Sequence, residues 1–458
     1  MEDTSLQTLF QNQKNFFATG KTRNLTFRKE ALKKLRAAIL MQEGELYEAL
    51  QKDLHKSSFE SYASEIGFVL EELRFHLKKL EKWARPKRVR SSIVSFPASG
   101  YKTYEPLGTV LIIAPWNYPF QLMMAPLIGA VSAGNTVILK PSEIAGNTAV
   151  VIEKMINNSF AKEYIHVVTG GVEVSQTLLN FRFDHIFFTG SPRVGKIVMQ
   201  AAAKQMIPVT LELGGKSPCI VDETVSLKLA ARRIIWGKLL NAGQTCIAPD
   251  YLFVHEKVKG LLIKELQNAI KKAYGKDPAQ SHDFPRIITR ANMERLKTLL
   301  EGAKIVYGGH YNMEDRYFEP TILEGVNFDS PVMQQEIFGP VLPVLTFKNA
   351  DEIIVQVNAR PRPLALYVFS KNKSFRKKMI ENIPAGGVTV NDTLMHIVSN
   401  QLPFGGVGNS GIGKYHGFYS FQTFSNAKPV VYRGTWLDIP IRYAPYGKKL
   451  KIVKYLMH

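Results

Sequence analysis

The segment 108–140 reads GTVLIIAPWNYPFQLMMAPLIGAVSAGNTVILK and decides the fold. Its pattern predicts a strand over Gly108 to Ala114, a helix over about Tyr118 to Ala133 and a strand over Thr136 to Lys140. The charge-free run from Pro106 to Leu139 is long enough to cross a bilayer. We expect a buried strand, loop and helix instead, because several residues would place polar or helix-ending groups in lipid. These residues are Pro115, Asn117, Pro119, Gln121, Pro126, Gly134 and Asn135.

Strands and helices continue to alternate after this segment. Further strands are predicted over 165–168, 185–189, 208–213, 217–221, 250–254, 304–307, 364–369 and 387–391, and helices over 147–158, 172–180, 192–204, 226–241, 258–274 and 374–382. Short strands separated by helices are typical of parallel sheets with helices on both faces. The sequence therefore predicts two α/β units, with ligands at the carboxyl ends of the strands.

The two ends of the chain follow other patterns. Apolar residues at helical spacing between Lys14 and Trp83 predict an outer layer of two or three helices. In the stretch Arg85 to Tyr104, which includes Ile93, apolar and polar residues alternate, and this pattern predicts a hairpin. The β-rich run Lys428 to Tyr432 could pair with that hairpin, and a basic, aromatic tail follows it.

Charge and cysteine content limit the function classes. The chain has 59 Lys and Arg against 39 Asp and Glu, a net charge of +20 that suits a phosphate-bearing cofactor, a lipid surface or nucleic acid. The basic residues are scattered without a nucleic-acid-binding motif, so most are interpreted as solvated helix faces. With two cysteines and no H-E-x-x-H or Walker A motif, neither a disulfide framework nor a metal site is expected. Met1 to Gln13 lacks a secretory pattern, which favours the cytoplasm.

Cys246 is the candidate nucleophile because of its loop. Gly243 and Pro249 bracket it, which favours exposure to a cleft. A lone cysteine is more often a buried apolar residue, and Cys219, within Ser-Pro-Cys-Ile-Val, fits that description.

Glu212 and Asn117 are candidate catalytic residues because of their positions. Glu212 lies at the end of a predicted strand, and Asn117 follows another. A carboxylate in apolar surroundings has a raised pKa, as a general base needs, and Glu212 ends an apolar strand. The alternative for Glu212 is a surface ion pair with Lys216. The Asn117 amide could donate to an oxyanion, and the alternative is a helix-capping or turn residue.

Two further turns could hold parts of a nucleotide. Lys140 and Glu143 follow a strand and offer a donor and an acceptor suited to a ribose diol, or else a surface ion pair. The turn Phe188 to Gly195 leads into a helix whose free N–H groups could hold a phosphate, although it is not G-x-G-x-x-G.

Six segments occur in the order found in aldehyde dehydrogenases, and the chain resembles that superfamily along nearly its whole length. They are Pro115–Asn117, Lys140–Glu143, Phe188–Gly195, Glu212–Lys216, Gln244–Cys246 and Glu336–Pro340. Val390–Asp392, Met395–His396, Pro403–Gly408 and Gly413–Gly417 resemble the class 3 branch, which oxidises fatty and aromatic aldehydes. The lipid-anchoring tail of some members is not matched.

The resemblance implies two doubly wound parallel-sheet domains and a small β element that bridges subunits. We expect residues 1–84 and 105–212 to form the NAD-binding domain and residues 213–424 the catalytic domain. Residues 85–104 and 425–458 would form the bridging element and tail. Since class 3 members are typically dimers, a homodimer is expected. The basic tail leaves room for peripheral lipid contact, whereas no transmembrane segment and no specific nucleic acid are expected.

The resemblance also assigns roles to single residues. It makes Cys246 the nucleophile, Asn117 an oxyanion donor together with the Cys246 N–H, and Glu212 the base that activates water. The cofactor-binding positions are Trp116, Lys140 and Glu143 (the latter two at the adenosine ribose), Gly190, Ser191 and Gly195 (at the pyrophosphate), and Glu336 and Phe338 (at the nicotinamide end). NAD is expected because Glu143 would repel a 2′-phosphate, yet class 3 members often accept NADP as well.

The implied reaction is NAD(P)-dependent oxidation of an aldehyde to a carboxylic acid through a thiohemiacetal and a thioester on Cys246. Glu212 argues against the CoA-acylating branch, which lacks a carboxylate there. Medium- or long-chain aliphatic or aromatic aldehydes are expected, with a polyene apocarotenoid aldehyde as the alternative, in a tunnel walled by residues such as Tyr118, Met123 and Trp236. A cysteine-nucleophile esterase and a basic-surface binding protein are the alternatives of other classes.

Overall fold

A computed structural model describes residues 3–91 and 95–457 of the chain. Residues 1–2, 92–94 and 458, and with them Ile93 of the predicted hairpin, lie outside the described residues. The helices are α1 Asp3–Ala18, α2 Leu25–Met41, α3 Glu43–Leu54, α4 Ser58–Ser61, α5 Gly67–Ala84, α6 Gln121–Ala133, α7 Gly146–Ser159, α8 Val172–Leu179, α9 Pro192–Ala203, α10 Leu227–Leu239, α11 Lys259–Tyr274, α12 Arg290–Thr298, α13 Pro331–Gln334, α14 Ala350–Asn358, α15 Lys373–Asn382, α16 Phe418–Thr423 and α17 Leu450–Met457. A π-helical turn, Tyr62–Ile66, joins α4 to α5.

The strands form three main sheets and one short hairpin. They are β1 Lys87–Val89, β2 Ala98–Pro106, β3 Thr109–Ile113, β4 Thr136–Lys140, β5 Ile165–Val167, β6 His185–Gly190, β7 Val209–Leu213, β8 Pro218–Val221, β9 Tyr251–His255, β10 Lys304–Tyr307, β11 Tyr311–Asn312, β12 Tyr317–Phe318, β13 Thr321–Glu324, β14 Val341–Phe347, β15 Ala365–Phe369, β16 Gly387–Val390, β17 Gly411–Ile412 and β18 Ser425–Arg433.

The first sheet has the strand order β17-β7-β6-β3-β4-β5. The pairs among β3 to β7 are parallel, and the chain moves outward from β3 to β5 before it crosses to β6. This order reverses direction between β3 and β6, which is where doubly wound sheets bind their ligands. Helix α6 is buried along its whole length against this sheet, so the apolar run that contains it is core.

The second sheet has the order β10-β13-β14-β9-β8-β15-β16. The pairs from β13 to β16 are parallel, with a reversal between β8 and β15, and β10 runs antiparallel at one edge. The predicted α/β class with two doubly wound parallel sheets is therefore confirmed. Helix α10 ends at Leu239, before the predicted boundary at Asn241.

The third sheet joins the two ends of the chain. Strand β1 pairs with β2, as the predicted hairpin requires, and β18 runs antiparallel to β2 over nine residue pairs, from Ser425 opposite Pro106 to Arg433 opposite Ala98. The predicted pairing of the 428–432 run with the hairpin is confirmed. Residues 213–424 were expected to form one domain. Strand β17 lies within this range but pairs with Leu211 and Glu212 of the first sheet.

Several elements differ from the sequence-based predictions. The helices before the hairpin begin at Asp3 and are more numerous than the two or three expected. Strand β14, central in the second sheet, was not predicted, because Pro343 interrupts a run that otherwise reads as a buried strand. The tail contains the helix α17. In the described part of the chain, no helix is long and apolar enough to span a membrane.

Candidate active site

The carboxyl edge of the first sheet gathers most of the predicted site residues. Trp116 and Asn117 follow β3, Lys140 ends β4, Gly190 ends β6 and Glu212 is the next-to-last residue of β7. The parallel pairing brings these strand ends side by side. The second sheet contributes the loops that carry Cys246 and Glu336.

The loop before Cys246 has an unusual backbone. Asn241, Ala242 and Gly243 all lie in the left-handed region, with φ of 52°, 51° and 77°. A Cβ atom at Gly243 would lie 2.3 Å from the carbonyl oxygen of Gly339, so no side chain fits there. Two non-glycine residues in a row with positive φ store strain, which persists when the surroundings hold the turn in place.

Gln244 ties this loop to its surroundings. Its Nε2 donates to the carbonyl oxygens of Asn241 (3.1 Å) and Arg286 (3.0 Å), and its Oε1 accepts from the Ile288 N–H (2.9 Å). The buried Gln244 amide thus has all of its strong contacts with the backbone, and it fixes the position from which Cys246 projects.

Cys246 lines an apolar cavity of about 740 Å³. Tyr118 and Trp236 line this cavity, as predicted for the substrate tunnel. The prediction that Met123 also lines it is wrong, because Met123 is fully buried in the core and its neighbour Leu122 lines the cavity instead. Further apolar wall residues are Phe68, Ile247, Leu394 and Phe404. Such a wall suits an apolar substrate that reaches a thiol at one point.

The environment of the thiol has opposing electrostatic effects. Burial raises the pKa of the Cys246 thiol, and the carboxyl groups of Glu336 and Glu212 raise it further. The backbone N–H groups of Cys246 and Ile247 act in the opposite direction, because they donate to the sulfur and favour the thiolate. The thiol therefore needs a further positive charge or a base to ionise near neutral pH. Cys219 is completely buried, as expected for an apolar filler.

Glu212 is buried and lies close enough to Cys246 to affect its titration. Burial raises the pKa of the Glu212 carboxyl well above its usual range, and Lys414 offsets this in part. Within the described ranges, neither carboxylate oxygen has a hydrogen-bond partner. The alternative of an ion pair with Lys216 is wrong, because Lys216 pairs with Asp250. A buried carboxylate without a partner is available to take a proton.

Hydrogen bonds hold both the side chain and the backbone of Asn117 in place. Its Nδ2 donates to the carbonyl oxygen of Gln244 (3.0 Å), which leaves one amide hydrogen for another acceptor. Its own carbonyl oxygen accepts from Asn241 Nδ2 at 2.8 Å. Helix α6 begins only at Gln121 and its capping residue is Phe120, so the alternative of Asn117 as a helix cap is wrong.

Lys140 and Glu143 lie together next to the end of β4. Their Nζ and Oε2 atoms are 3.4 Å apart, with Lys140 buried and the Glu143 side chain 44% exposed. The two residues therefore form the ion pair that the sequence offered as one interpretation. The exposed Glu143 carboxylate could still accept a hydrogen bond from a ribose, so the second interpretation is compatible with the first. Burial lowers the pKa of Lys140, an effect that Glu143 offsets.

The turn between β6 and α9 has the form expected of a phosphate-binding helix start. Ser191 caps α9 by accepting from the Val194 N–H (3.4 Å), and Pro192 starts the helix. A Cβ at Gly195 would lie 2.6 Å from Leu213 of β7, and one at Gly190 would lie 2.5 Å from the Phe188 ring. Gly195 therefore lets α9 and β7 approach each other closely, and Gly190 leaves room for the Phe188 ring.

We expect Gly195→Val to weaken dinucleotide binding by at least about tenfold, because the added side chain pushes the start of α9 away from Leu213 of β7. Titration of protein fluorescence with NADH measures this. Gly260→Val is the matched control, since Gly260 lies on the helix α11 and a Cβ there meets no described atom within 4 Å. Equal affinity of the Gly195 variant and wild type would contradict the role of this turn.

Glu336 and Phe338 lie against the loops that follow β7 and β3 of the first sheet. A Cβ at Gly214 would lie 1.9 Å from Glu336 Oε2, so the glycine makes room for this carboxylate. Burial raises the pKa of Glu336 to about 8, with Asp250 adding to the effect, and its Oε1 is buried without a partner among the described residues. The Trp116 and Phe338 rings meet edge to face at 5.4 Å between centroids.

The sequence did not single out several buried charges around this site. Lys238 is fully buried near Glu336, with its pKa lowered to about 8 by burial, and its Nζ has no partner in the described structure. Lys56, Glu60 and Glu65 are also buried. Lys238 lies on the helix α10 and the other three lie in a polar stretch in and around α4, so no local pattern distinguishes them from solvated charges. Across 3–91 and 95–457, no group of three metal-binding side chains was found.

Comparisons with known proteins cover nearly the whole chain. The family model described as "Aldehyde dehydrogenase family" matches residues 4–430. The 4,4'-diaponeurosporen-aldehyde dehydrogenase of Staphylococcus aureus is 49% identical over 447 residues, 97% of each chain. The dimeric NADP-preferring aldehyde dehydrogenase of Canis lupus familiaris is 44% identical over 98% of this chain and 99% of that one. The solved structure of substrate-bound AldH from Staphylococcus aureus has a TM-score of 0.97 at 48% identity, over 99% of both chains.

Proposed function

Because the chain belongs to the aldehyde dehydrogenase family and is an enzyme that oxidises aldehydes, we propose that it acts by nucleophilic catalysis at Cys246, with Asn117 as oxyanion donor and Glu212 as base. One observation carries this assignment: a thiol in the wall of an apolar cavity lies within electrostatic reach of a buried carboxylate that is unpartnered in the described structure. The family favours this over the esterase and basic-surface alternatives.

The first step is attack of the Cys246 sulfur on the aldehyde carbon. The new C–S bond leaves a negative charge on the carbonyl oxygen, which needs donors nearby. The second Nδ2 hydrogen of Asn117 and the Cys246 N–H are the proposed donors, and each is held by the loop that ends at Cys246. A donor of this kind contributes roughly 3–4 kcal/mol to stabilising the transition state.

An NAD-type dinucleotide fits the residues at the carboxyl edge of the first sheet. A buried oxygen of Glu336 that has no partner in the described structure and the close approach of α9 to β7 at Gly195 both suit such a cofactor. We propose that Lys140 and Glu143 hold the adenosine ribose, Gly190, Ser191 and Gly195 the pyrophosphate, and Trp116, Glu336 and Phe338 the nicotinamide end. When bound, the cofactor accepts the hydride that aldehyde oxidation releases. Glu143 would repel a 2′-phosphate, which favours NAD while leaving NADP as a second cofactor.

The last step is hydrolysis of the thioester on Cys246. Glu212 takes a proton from water, the resulting hydroxide attacks the acyl carbon, and the carboxylic acid leaves as the thiolate is restored. The raised pKa of Glu212 makes it a stronger base than an exposed carboxylate. Its lack of a competing hydrogen bond within the described ranges leaves it free to face water.

We propose medium- or long-chain aliphatic or aromatic aldehydes as substrates. The apolar wall predicts that kcat/KM rises about three- to fourfold for each methylene from propanal upward, since burying one stabilises binding by about 0.8 kcal/mol, until the cavity is full. A panel of aldehydes with NAD and NADP in parallel, followed by NADH or NADPH absorbance, measures this. A flat profile would contradict the proposed wall, and no turnover with any aldehyde would contradict the proposed function.

A polyene aldehyde is the second candidate substrate. The apolar cavity would accept it, and the Staphylococcus aureus relative is named a 4,4'-diaponeurosporen-aldehyde dehydrogenase. Adding a polyene aldehyde to the same panel separates the candidates, because the better substrate has the higher kcat/KM.

We also propose the domain roles and the assembly. Residues 1–84 and 105–212 would bind the cofactor, with β17 added at the edge of their sheet. Residues 213–424 apart from β17 would carry the nucleophile. The β1-β2-β18 sheet would bridge two copies, which the name of the dimeric canine relative supports. The basic tail Arg442–Lys454, most of whose side chains are exposed, would contact lipid peripherally.

A further inference from the structure

The segment Lys56–Glu65 places three charged side chains beside the proposed oxyanion site, and Glu60 also lines the cavity that contains Cys246. Lys56 and Glu65 are completely buried, and Glu60 is 7% exposed. The segment begins just before the short helix α4, with Lys56, and ends in the π-helical turn, with Glu65. Burying several charges is costly, and an apolar replacement usually stabilises a fold as well or better. A role other than stability therefore has to account for them, and π-helical turns are frequent at functional sites.

Lys56 and Glu65 hold the loop that carries Asn117. Lys56 Nζ donates to Glu65 Oε1 (2.5 Å) and to the carbonyl oxygen of Asn117 (3.2 Å). Glu65 Oε2 accepts from the N–H groups of Phe120 (2.9 Å) and Gln121 (3.3 Å). The ion pair thus binds the backbone within the turn between β3 and α6, at Asn117, and at the start of α6.

Glu60 holds the loop that carries Cys246. Its Oε1 accepts from the N–H of Asn241 at 2.7 Å, at the first residue of the left-handed stretch. Asn241 Nδ2 donates in turn to the carbonyl oxygens of Asn117 (2.8 Å) and Gln244 (3.1 Å). The two loops and the 56–65 segment therefore form one closed hydrogen-bond network.

We propose that Lys56, Glu60 and Glu65 are positioning residues that fix the Asn117 amide and the Cys246 N–H in the geometry of the oxyanion. The inference rests on the proposed function. Oxyanion donors act only when they are held in place before the charge develops, and a displacement of about 1 Å can reduce the rate about 100-fold. The strained turn 241–243 would relax toward ordinary backbone angles without the acceptor that Glu60 supplies.

Two sets of variants test this. Lys56→Met/Glu65→Gln removes the donor to the Asn117 carbonyl oxygen and both charges of the ion pair together, while keeping an acceptor for the Phe120 N–H. Glu60→Leu removes the acceptor of the Asn241 N–H, whereas Glu60→Gln keeps one. The matched control is Arg74→Met/Glu71→Gln, an exposed ion pair on the neighbouring helix α5.

Two rates are measured for each variant: kcat/KM for an aldehyde, and alkylation of Cys246 by iodoacetamide, which forms no oxyanion. We expect the double variant and Glu60→Leu to lose about 10- to 100-fold in kcat/KM, with a clearly smaller fall in the alkylation rate, because alkylation depends on the thiolate and needs no oxyanion donor. Glu60→Gln and the control pair should stay within threefold in both rates. A kcat/KM within threefold for Glu60→Leu, or an equal fall in alkylation, would overturn the proposal.

Folding and the proposed function are checked separately. NADH binding shows that each variant is folded, and Glu60→Leu decides the test by itself if the double variant does not bind NADH. The proposed function is judged on wild type against Cys246→Ala. A wild type without turnover would therefore contradict the proposed function, whereas an active wild type with fully active variants would contradict the positioning role.

Discussion

Replacing Cys246 by alanine should abolish aldehyde oxidation, with a fall in kcat of at least roughly 10⁴-fold. The alanine cannot form the C–S bond, so no thiohemiacetal and no thioester arise. The loop itself should remain in place, because Gln244 holds it through contacts with the backbone of Asn241, Arg286 and Ile288. NADH formation with a good aldehyde substrate measures the loss, and unchanged NADH binding shows that the cofactor site is intact.

The control for this variant is Cys219→Ala. Cys219 is completely buried on β8 and pairs in the second sheet, so its loss should affect stability while leaving the active cysteine untouched. Its kcat should remain within a few fold of wild type. Substantial turnover by Cys246→Ala, or its loss in Cys219→Ala at a temperature where that variant is folded, would mean that the nucleophile has been assigned to the wrong residue.

Changing Glu212 to glutamine should separate the two halves of the reaction. The glutamine has nearly the same shape but cannot take a proton from water, so the thioester should form once and then persist. We expect a burst of one NADH per active site, followed by steady turnover reduced by about 10²- to 10⁴-fold. Because burial raises the pKa of Glu212, thioester hydrolysis by the wild type should accelerate with rising pH as the carboxyl ionises, and that dependence should disappear in the variant.

Rapid-mixing measurement of NADH gives the burst, and mass spectrometry gives the acyl-enzyme. Glu301→Gln, which changes an exposed carboxylate, is the control and should show ordinary turnover. Undiminished steady turnover in Glu212→Gln would rule out Glu212 as the base. A variant with no burst would instead place Glu212 in the first half of the reaction.

The sequence was most informative where the chain is most regular. The predicted strands of the first sheet agree with β3 to β7 to within a residue or so at their ends, because they are short apolar runs and most are bounded by Gly, Pro or Asn. The sequence does not predict β14, because Pro343 lies inside that strand. It does not predict β17 either, because a strand of two residues is too short to show an alternation of apolar and polar residues. Pairings between distant segments cannot be read from local patterns unless a β-rich run has an obvious partner, as β18 has in β2.

The same distinction applies to the site. Glycine- and proline-bracketed loops indicated the neighbourhood of Cys246 from the sequence. The contacts that hold that loop come from Glu60 and Arg286, which are far along the chain and belong to segments of ordinary composition. Burial cannot be inferred from the residue type of Lys56 or Glu65, since these residue types are usually exposed. Which charged residues contact the site depends on how distant segments of the chain pack together, and a local sequence pattern does not show this.

The pairing of β17 with Leu211 and Glu212 means that the two large sheets are not interchangeable modules. The strand that carries the proposed base would become an open sheet edge if the chain were cut after the second sheet, and an open edge invites pairing with other molecules. Strand β17, which follows the whole second sheet in the chain, thus completes a sheet begun by the first half. Evolution of new specificities in this protein is therefore expected to proceed by changes in loops and cavity walls rather than by exchange of whole halves.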